Sequence, residues 1–256
     1  MKATLTVLGS GTSMGVPTLG CDCAVCHSSD LRDRRSRPSV LIEFDGKSVL
    51  IDTTPDFRAQ ALRENIRNID AVLYTHAHAD HILGLDDLRP LSFDRPAKIP
   101  LYAAPEHSAV IRSMFSYAFD DTYKYGSLPQ VELKPLTHPL ELFGANIEPI
   151  SVIHGDSEVW GFRFGSAAYL TDFSEIPEAS LAKLTDLDIL FLDALRLKPH
   201  PSHSSVENSL RIADRLKARR TFFTHICHDL PHEATNRDLP PGVQLAHDGL
   251  KLEFEI

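Results

Sequence analysis

Thirteen histidines stand out in a chain of 256 residues that holds a single tryptophan. Three of them fall within His76-Ala77-His78-Ala79-Asp80-His81, directly after the apolar run Ala71-Val72-Leu73-Tyr74. Neutral imidazole is a common metal ligand, and a carboxylate adds a hard oxygen donor. If the chain stays extended, side chains 76 and 78 share one side, because successive residues of a strand alternate. Asp80 and His81 follow at a turn and face a second position. Two imidazoles beside a carboxylate–imidazole pair suit two metal ions a few ångströms apart. Such a pair clamps the attacking and leaving oxygens of a displacement and makes hydroxide available at neutral pH. The competing reading is a polar surface loop of solvated histidines. It fits poorly with a hydrophobic strand running straight into the motif.

A second cluster is Cys21-Asp22-Cys23-Ala24-Val25-Cys26. A Cys-x-Cys pair closes a disulfide only with strain, since the side chains diverge. Three thiolates need a fourth ligand to close a tetrahedral zinc site. His27, Cys227 and His228 are the candidates. His27 adjoins Cys26 and would crowd the ion. His228 stands three residues after His225, so one histidine can turn to each side; it is the preferred fourth ligand, with Cys227 next. Free thiols are the alternative.

These clusters need elements to position them. Strand-like runs are residues 4–8, Ser39–Phe44, Lys47–Ile51, 71–74, Ile99–Ala103, 147–153, 161–164, Ala167–Leu170, 189–192, 221–223 and 250–256. Asp45-Gly46 offers a two-residue hairpin turn. Thr54-Pro55 reads as an N-cap and first helical position, opening a helix to about Arg67. Ser204 and Glu207 form a capping-box pattern, followed by an apolar face of Val206, Leu210, Ala213 and Leu216 to about Lys217. No linker-like segment divides the chain, so residues 1–256 are read as one domain of α/β class with two sheets covered by helices.

The motif His76-x-His78-x-Asp80-His81 resembles the signature of the metallo-β-lactamase superfamily. The resemblance implies an αββα sandwich, two mixed sheets flanked by helices, with a metal site at the sheet edges. It also implies further ligands late in the chain, each at a strand end. His154 follows residues 147–153, Asp172 follows Ala168-Tyr169-Leu170-Thr171, and His225 follows Thr221-Phe222-Phe223-Thr224. On this resemblance one ion sits on His76, His78 and His154, the other on Asp80, His81 and His225, and Asp172 bridges them. Asp52 matches the superfamily's early aspartate, with the implied role of orienting a ligand or loop; a plain turn carboxylate is the alternative.

Further motifs narrow the resemblance. They are Gly9-Ser10-Gly11-Thr12-Ser13, the three-cysteine run, Asp80-His81-Ile82-x-Gly84-Leu85-Asp86-Asp87-Leu88-Arg89 and Thr224-His225-Ile226-x-His228. Together they resemble the PhnP-type phosphodiesterases, which open phosphoribosyl 1,2-cyclic phosphate. This likeness runs from residue 4 to about residue 230. It implies a structural Zn²⁺ on Cys21, Cys23, Cys26 and His228, and two active-site ions, Mn²⁺ or Zn²⁺. It places the catalytic histidine at His203, the second in His200-Pro201-Ser202-His203. With Asp80 and Asp172, His203 makes up the implied catalytic set. The expected reaction is hydrolysis of a small cyclic phosphate or nucleotide-like phosphodiester by a metal-bridging hydroxide, with His203 protonating the leaving oxygen.

Charge and composition set limits. The net charge of −9 disfavours nucleic acid and anionic membranes as partners. No run of 18 apolar residues offers a membrane span. Gly9 and Gly11 interrupt the first apolar stretch, so it does not read as a signal peptide, and a cytoplasmic location with reduced thiols is expected. A homodimer stays open. The basic run over residues 32–37 reads as a solvated loop or, alternatively, as a source of phosphate-binding arginines. Arg89 is expected to pair with a carboxylate. Competing functions are a tRNA 3′-processing nuclease, which would carry a basic arm that is not seen, a lactone or thioester hydrolase, which would not need the cysteines, and a zinc-stabilised binding module without catalysis.

Overall fold

The computed structural model describes residues 1–93, 95–120, 122 and 126–256. The strands among them, in chain order, are β1 (Lys2–Gly9), β2 (Ser39–Phe44), β3 (Lys47–Ile51), β4 (Ala71–Leu73), β5 (Ile99–Ala103), β6 (Val131–Pro135), β7 (Leu140–Leu142), β8 (Ala145–His154), β9 (Ser157–Phe164), β10 (Ala167–Leu170), β11 (Ile189–Asp193), β12 (Arg220–Thr224), β13 (Val243–Leu245) and β14 (Lys251–Glu255). They form two seven-stranded sheets, ordered β14-β1-β2-β3-β4-β5-β6 and β13-β12-β11-β10-β9-β8-β7. In each sheet four strands pair antiparallel and the pairing then turns parallel, from β3 to β6 in one and from β10 to β13 in the other.

Strand alternation explains the layers. Ala3, Leu5 and Val7 of β1, and Val40, Ile42 and Phe44 of β2, point between the sheets toward Phe162, Phe164, Tyr169 and Phe191. Their neighbours Leu8 and Leu41 point outward and pack beneath helices. Both faces of β1 and β2 are largely covered, although Thr4 and Thr6 break the apolar run of β1 and exposed Glu43 that of β2. The helices are α1 (Phe57–Arg63), α2 (Ala79–Ile82), α3 (Pro105–Met114), α4 (Glu178–Leu181), α5 (Val206–Leu216) and α6 (His232–Asp238). Two mixed sheets flanked by helices make the αββα sandwich expected from the resemblance. No helix among the described residues is long and apolar enough to cross a membrane.

The hairpin at Asp45-Gly46 forms as read, with both residues at positive φ, 46° and 69°. Both helix readings need correction. The first helix begins at Phe57 rather than Pro55 and ends at Arg63, because Thr54 Oγ1 closes a local turn onto the Asp56 N–H and Asn65 turns left-handed, with φ of 55°. The later helix is capped by Ser205, not Ser204: Ser205 Oγ accepts from Asn208 N at 3.3 Å, while Ser204 bonds the Ser209 hydroxyl. Strands β6, β7 and β13 were not legible from apolar patterning.

Candidate metal centre

His154, Asp172 and His225 lie at C-terminal strand ends, and the His76–His81 segment follows the C-terminal end of β4. The parallel register sets Asp193 of β11 beside Thr224 of β12, and His225 follows one residue later. Three strand-end residues leave their strands with left-handed backbone: Asp52 at φ 63°, Asp172 at 54° and His225 at 57°. Each such non-glycine residue costs about 1–3 kcal/mol and persists only where its surroundings hold it.

Asp52 is fully buried and accepts three protons, from Thr75 N and Thr75 Oγ1 at 2.8 Å and from His81 Nδ1 at 2.7 Å. Because the Thr75 hydroxyl gives its proton to Asp52, it accepts from His76 Nδ1, 3.0 Å away. Both rings thus hold their hydrogen on Nδ1 and turn Nε2 inward. His76 Nε2 meets His78 Nδ1 at 2.9 Å. The short helix α2 then presents Asp80 and His81. Gly84 lets this segment lie against α1: a Cβ there would come within 2.0 Å of the Thr54 carbonyl oxygen.

The second sheet supplies the rest. His154 Nδ1 donates to the Ser202 carbonyl at 2.7 Å, which leaves its Nε2 free. Asp172 is held by the Thr171 hydroxyl and joins the donors Asp80, His81 and His225. Its Oδ1 is 3.5 Å from His81 Nε2 and its Oδ2 is 3.3 Å from His225 Nε2. Donor atoms of His76, His78 and His154 lie within 4.8 Å of one another, as do those of Asp80, His81, Asp172 and His225, and those of His154, Asp172 and His203.

The chemistry of this donor set fits cations. His81 Nε2 and His225 Nε2 are buried, face carboxylates and complete no hydrogen bond. Burial would raise the carboxyl of Asp172, but His225 and His81 outweigh it and hold it well below the usual range. Asp80 is likewise drawn down by His81 and His225 against its burial. Burial would lower His81, yet Asp80, Asp172 and Asp52 lift it well above the ordinary imidazole value. His225 rises to about 9, its burial overridden by Asp172 and Asp80. The carboxylates therefore demand buried positive charge. His76 and His154 are pushed down by burial and offer neutral nitrogens.

His203 Nδ1 lies 2.8 Å from Asp193 Oδ2, which also accepts from Phe173 N at 3.1 Å. The His203 ring stacks on His225, with centroids 4.6 Å apart, and approaches His154 at the same distance. Asp193 was missed in the sequence. The signal was available: it ends the apolar run of β11 as Asp172 closely follows that of β10.

The thiol cluster is built from two distant segments. His228 Nδ1 lies 3.2, 3.7 and 3.4 Å from the sulfurs of Cys21, Cys23 and Cys26. A tetrahedral zinc ion with bonds of about 2.3 Å to sulfur and about 2.0–2.1 Å to nitrogen would separate those atoms by about 3.6 Å. The four residues fit the ion. The Cys26 backbone N–H draws the Cys23 thiol down, whereas burial pushes the Cys26 thiol up to about 11. Cys227 is turned away, its sulfur accepting from Asp229 N, and His27 faces Asp22. The basic run is only partly solvated: Arg34 is exposed, while Arg32, Arg35 and Arg37 are tied into the fold. Buried Arg35 donates to the Cys227 and Leu230 carbonyls and to Asp33, Arg32 pairs with Asp30 and Glu233, and Arg37 pairs with Asp56. Arg89 pairs with Asp86 at 2.7 Å.

A family model described as the beta-lactamase superfamily domain matches residues 47–226. Octanoyltransferase from Porphyromonas gingivalis is 38% identical over 250 residues, which are 96% of this chain and 50% of that protein, so the chain spans about half of that relative's length. The crystal structure of a new diphosphatase from the PhnP family is 65% identical, with a TM-score of 0.94 over 99% of this chain and 98% of that one. Zn(2+)-bound PqqB from Methylobacterium extorquens shares the fold, at TM-score 0.77 and 23% identity over 97% of this chain and 99% of that one. On the family model and the 65% identical structure together, the chain belongs to the metallo-β-lactamase superfamily and, within it, to the PhnP family.

Proposed function

We propose that this chain hydrolyses a P–O bond in a small disubstituted phosphate, either a cyclic phosphodiester or a diphosphate. His76, His78 and His154 would hold one divalent ion, Asp80, His81 and His225 a second, with Asp172 shared; manganese or zinc suits them. Cys21, Cys23, Cys26 and His228 would hold a structural zinc. The observation that carries the reading is Asp172, which joins the Asp80–His81–His225 donors and also comes within 4.8 Å of the donor atoms of His154 and His203, with His203 held by Asp193. Two divalent ions, when bound, supply charge neutralisation for phosphoryl oxygens and acidify water.

The chain's own residues do the rest. Asp52 and Thr75 fix the rings of His81 and His76, so their Nε2 atoms need no reorientation. The Ser202 carbonyl does the same for His154. Asp193 holds His203 by Nδ1, which leaves Nε2 to meet the substrate. From there His203 gives a proton to the departing oxygen, which is a poor leaving group as an alkoxide. The 65% identical diphosphatase favours a diphosphate among these substrates.

A substrate panel with added Mn²⁺ tests the reading: bis-p-nitrophenyl phosphate, a 2′,3′-cyclic nucleotide, a disubstituted nucleoside diphosphate, a lactone and a thioester. Turnover of phosphorus substrates and not of the acyl pair is expected. Faster cleavage of the lactone or thioester would overturn it.

A further inference from the structure

His200 stands outside both donor groups, in the loop between β11 and α5, flanked by Pro199 and Pro201. Pro199 has a fixed φ, and Pro201 confines the residue before it to extended backbone. The loop is also tied to itself and to the site. Arg196 donates to the Lys198 and Pro199 carbonyls at 3.3 and 3.1 Å, and Ser202 receives the His154 proton. His200 is thus a preorganised side chain.

Its tautomer follows from its contacts. His200 Nδ1 accepts from the Ser202 backbone N–H at 3.3 Å, with the Ser202 hydroxyl equally near. An accepting nitrogen carries no hydrogen, so the neutral ring bears it on Nε2. Burial, His203 and Arg196 all push this ring toward the neutral form. The ring lies 5.1 Å from that of His203, which itself lies 4.6 Å from both His154 and His225. The order from the donor groups outward is His203, then His200. With His203 serving the departing oxygen, a substituent on that oxygen that continues outward in the same order would meet His200.

We propose that His200 is a substrate-binding residue for the leaving group: its Nε2–H donates to a non-bridging oxygen of a second phosphoryl group, which favours diphosphates over simple phosphodiesters. This rests on the P–O hydrolysis proposed above.

The test compares wild type, His200→Ala and His200→Gln, all loaded with Mn²⁺. Kinetics use a disubstituted nucleoside diphosphate and bis-p-nitrophenyl phosphate, and calorimetry measures binding of inorganic diphosphate and of phosphate. His200→Ala should lower kcat/KM for the diphosphate substrate about tenfold more than for the phosphodiester, mainly through KM, as loss of one hydrogen bond to a charged group implies. Its preference for inorganic diphosphate over phosphate should fall by a similar factor. His200→Gln, which keeps an N–H donor, should recover much of both. Equal losses on the two substrates with an unchanged binding preference would overturn the assignment. A wild-type protein that cleaves neither substrate would sink the hydrolysis reading, while the binding preference would still decide the role of His200.

Discussion

His225 and His228 are separated by two residues, yet they join different clusters: His225 Nε2 lies 3.3 Å from Asp172 Oδ2, and His228 Nδ1 lies 3.2 Å from Cys21 Sγ. The left-handed turn at His225 makes this division possible. The segment between them is pinned from three sides. Ile226 N donates to the Ser10 carbonyl, Cys227 N to the Leu195 carbonyl, and Arg35 to the Cys227 carbonyl. The thiol cluster is the far anchor of the loop that presents His225.

Breaking that anchor should be read first in metal content and stability. Cys23→Ser is expected to remove the zinc proposed for Cys21, Cys23, Cys26 and His228. It should lower Tm by about 5–10 °C, on the usual scale of a few degrees per kcal/mol for a chain of this size. Cys227→Ser should keep the zinc, since its sulfur faces Asp229 N. Elemental analysis and calorimetry decide. Full zinc content in Cys23→Ser would take Cys23 out of the ligand set, and zinc loss in Cys227→Ser would mean that the fourth ligand has been misassigned.

The Asp193–His203 pair makes a leaving-group prediction. His203→Ala should keep its metals and lose about 10²–10⁴-fold in turnover on an alkoxide leaving group, the scale of general acid catalysis. The loss should shrink on a p-nitrophenyl ester, because nitrophenolate leaves without a proton. Asp193→Asn should show the same pattern more weakly, since the ring loses its orientation but not its chemistry. Equal losses on both leaving groups would point to binding instead.

What the sequence disclosed depended on how local each signal is. Strands β2 and β3 matched to the residue, because Asp45-Gly46 fixes the turn between them. The metal motif was legible because its residues are adjacent. Asp193 was not, because its importance arises from a parallel register with β12 and from a contact ten residues away with His203. The arginine run misled for a similar reason. Arg35 is buried by a partner segment near residue 230, and nothing in residues 32–37 reveals that partner. The short edge strand β13 carries only three residues, too few for alternation to show.

Asp52 should act on metal affinity rather than on folding. Its carboxylate accepts the His81 Nδ1 proton at 2.7 Å and two protons from Thr75. Asp52→Asn keeps the volume but presents one amide donor where only acceptors fit. His81 then loses the partner that turns its Nε2 inward. Affinity for the cation on Asp80, His81 and His225 should fall about 10–100-fold, the usual effect of removing a ligand's orienting partner. Titration of the chelated protein with Mn²⁺ measures this. Unchanged affinity would show that the ring is held by packing alone.

His232 supplies an acid-sensitivity prediction away from the metal groups. It is nearly inaccessible, and its Nδ1 makes no hydrogen bond. Burial, reinforced by Arg32 and Arg35, pushes its pKa down to about 4. The unfolded chain, with an ordinary imidazole near about 6.5, takes up a proton that the folded protein resists. Stability attached to this residue is therefore present above about pH 6.5 and lost as the pH falls toward 4. One group can contribute at most about 1.4 kcal/mol per pH unit to that slope. His232→Gln, which cannot be protonated, should flatten the fall in stability between pH 6.5 and 4 relative to wild type, while leaving the slope above pH 7 unchanged. Denaturant melts of both proteins across that range give the comparison. Parallel curves for the two would mean that His232 is protonated in the fold without penalty, and that the adjacent arginines do not act on it as their positions imply.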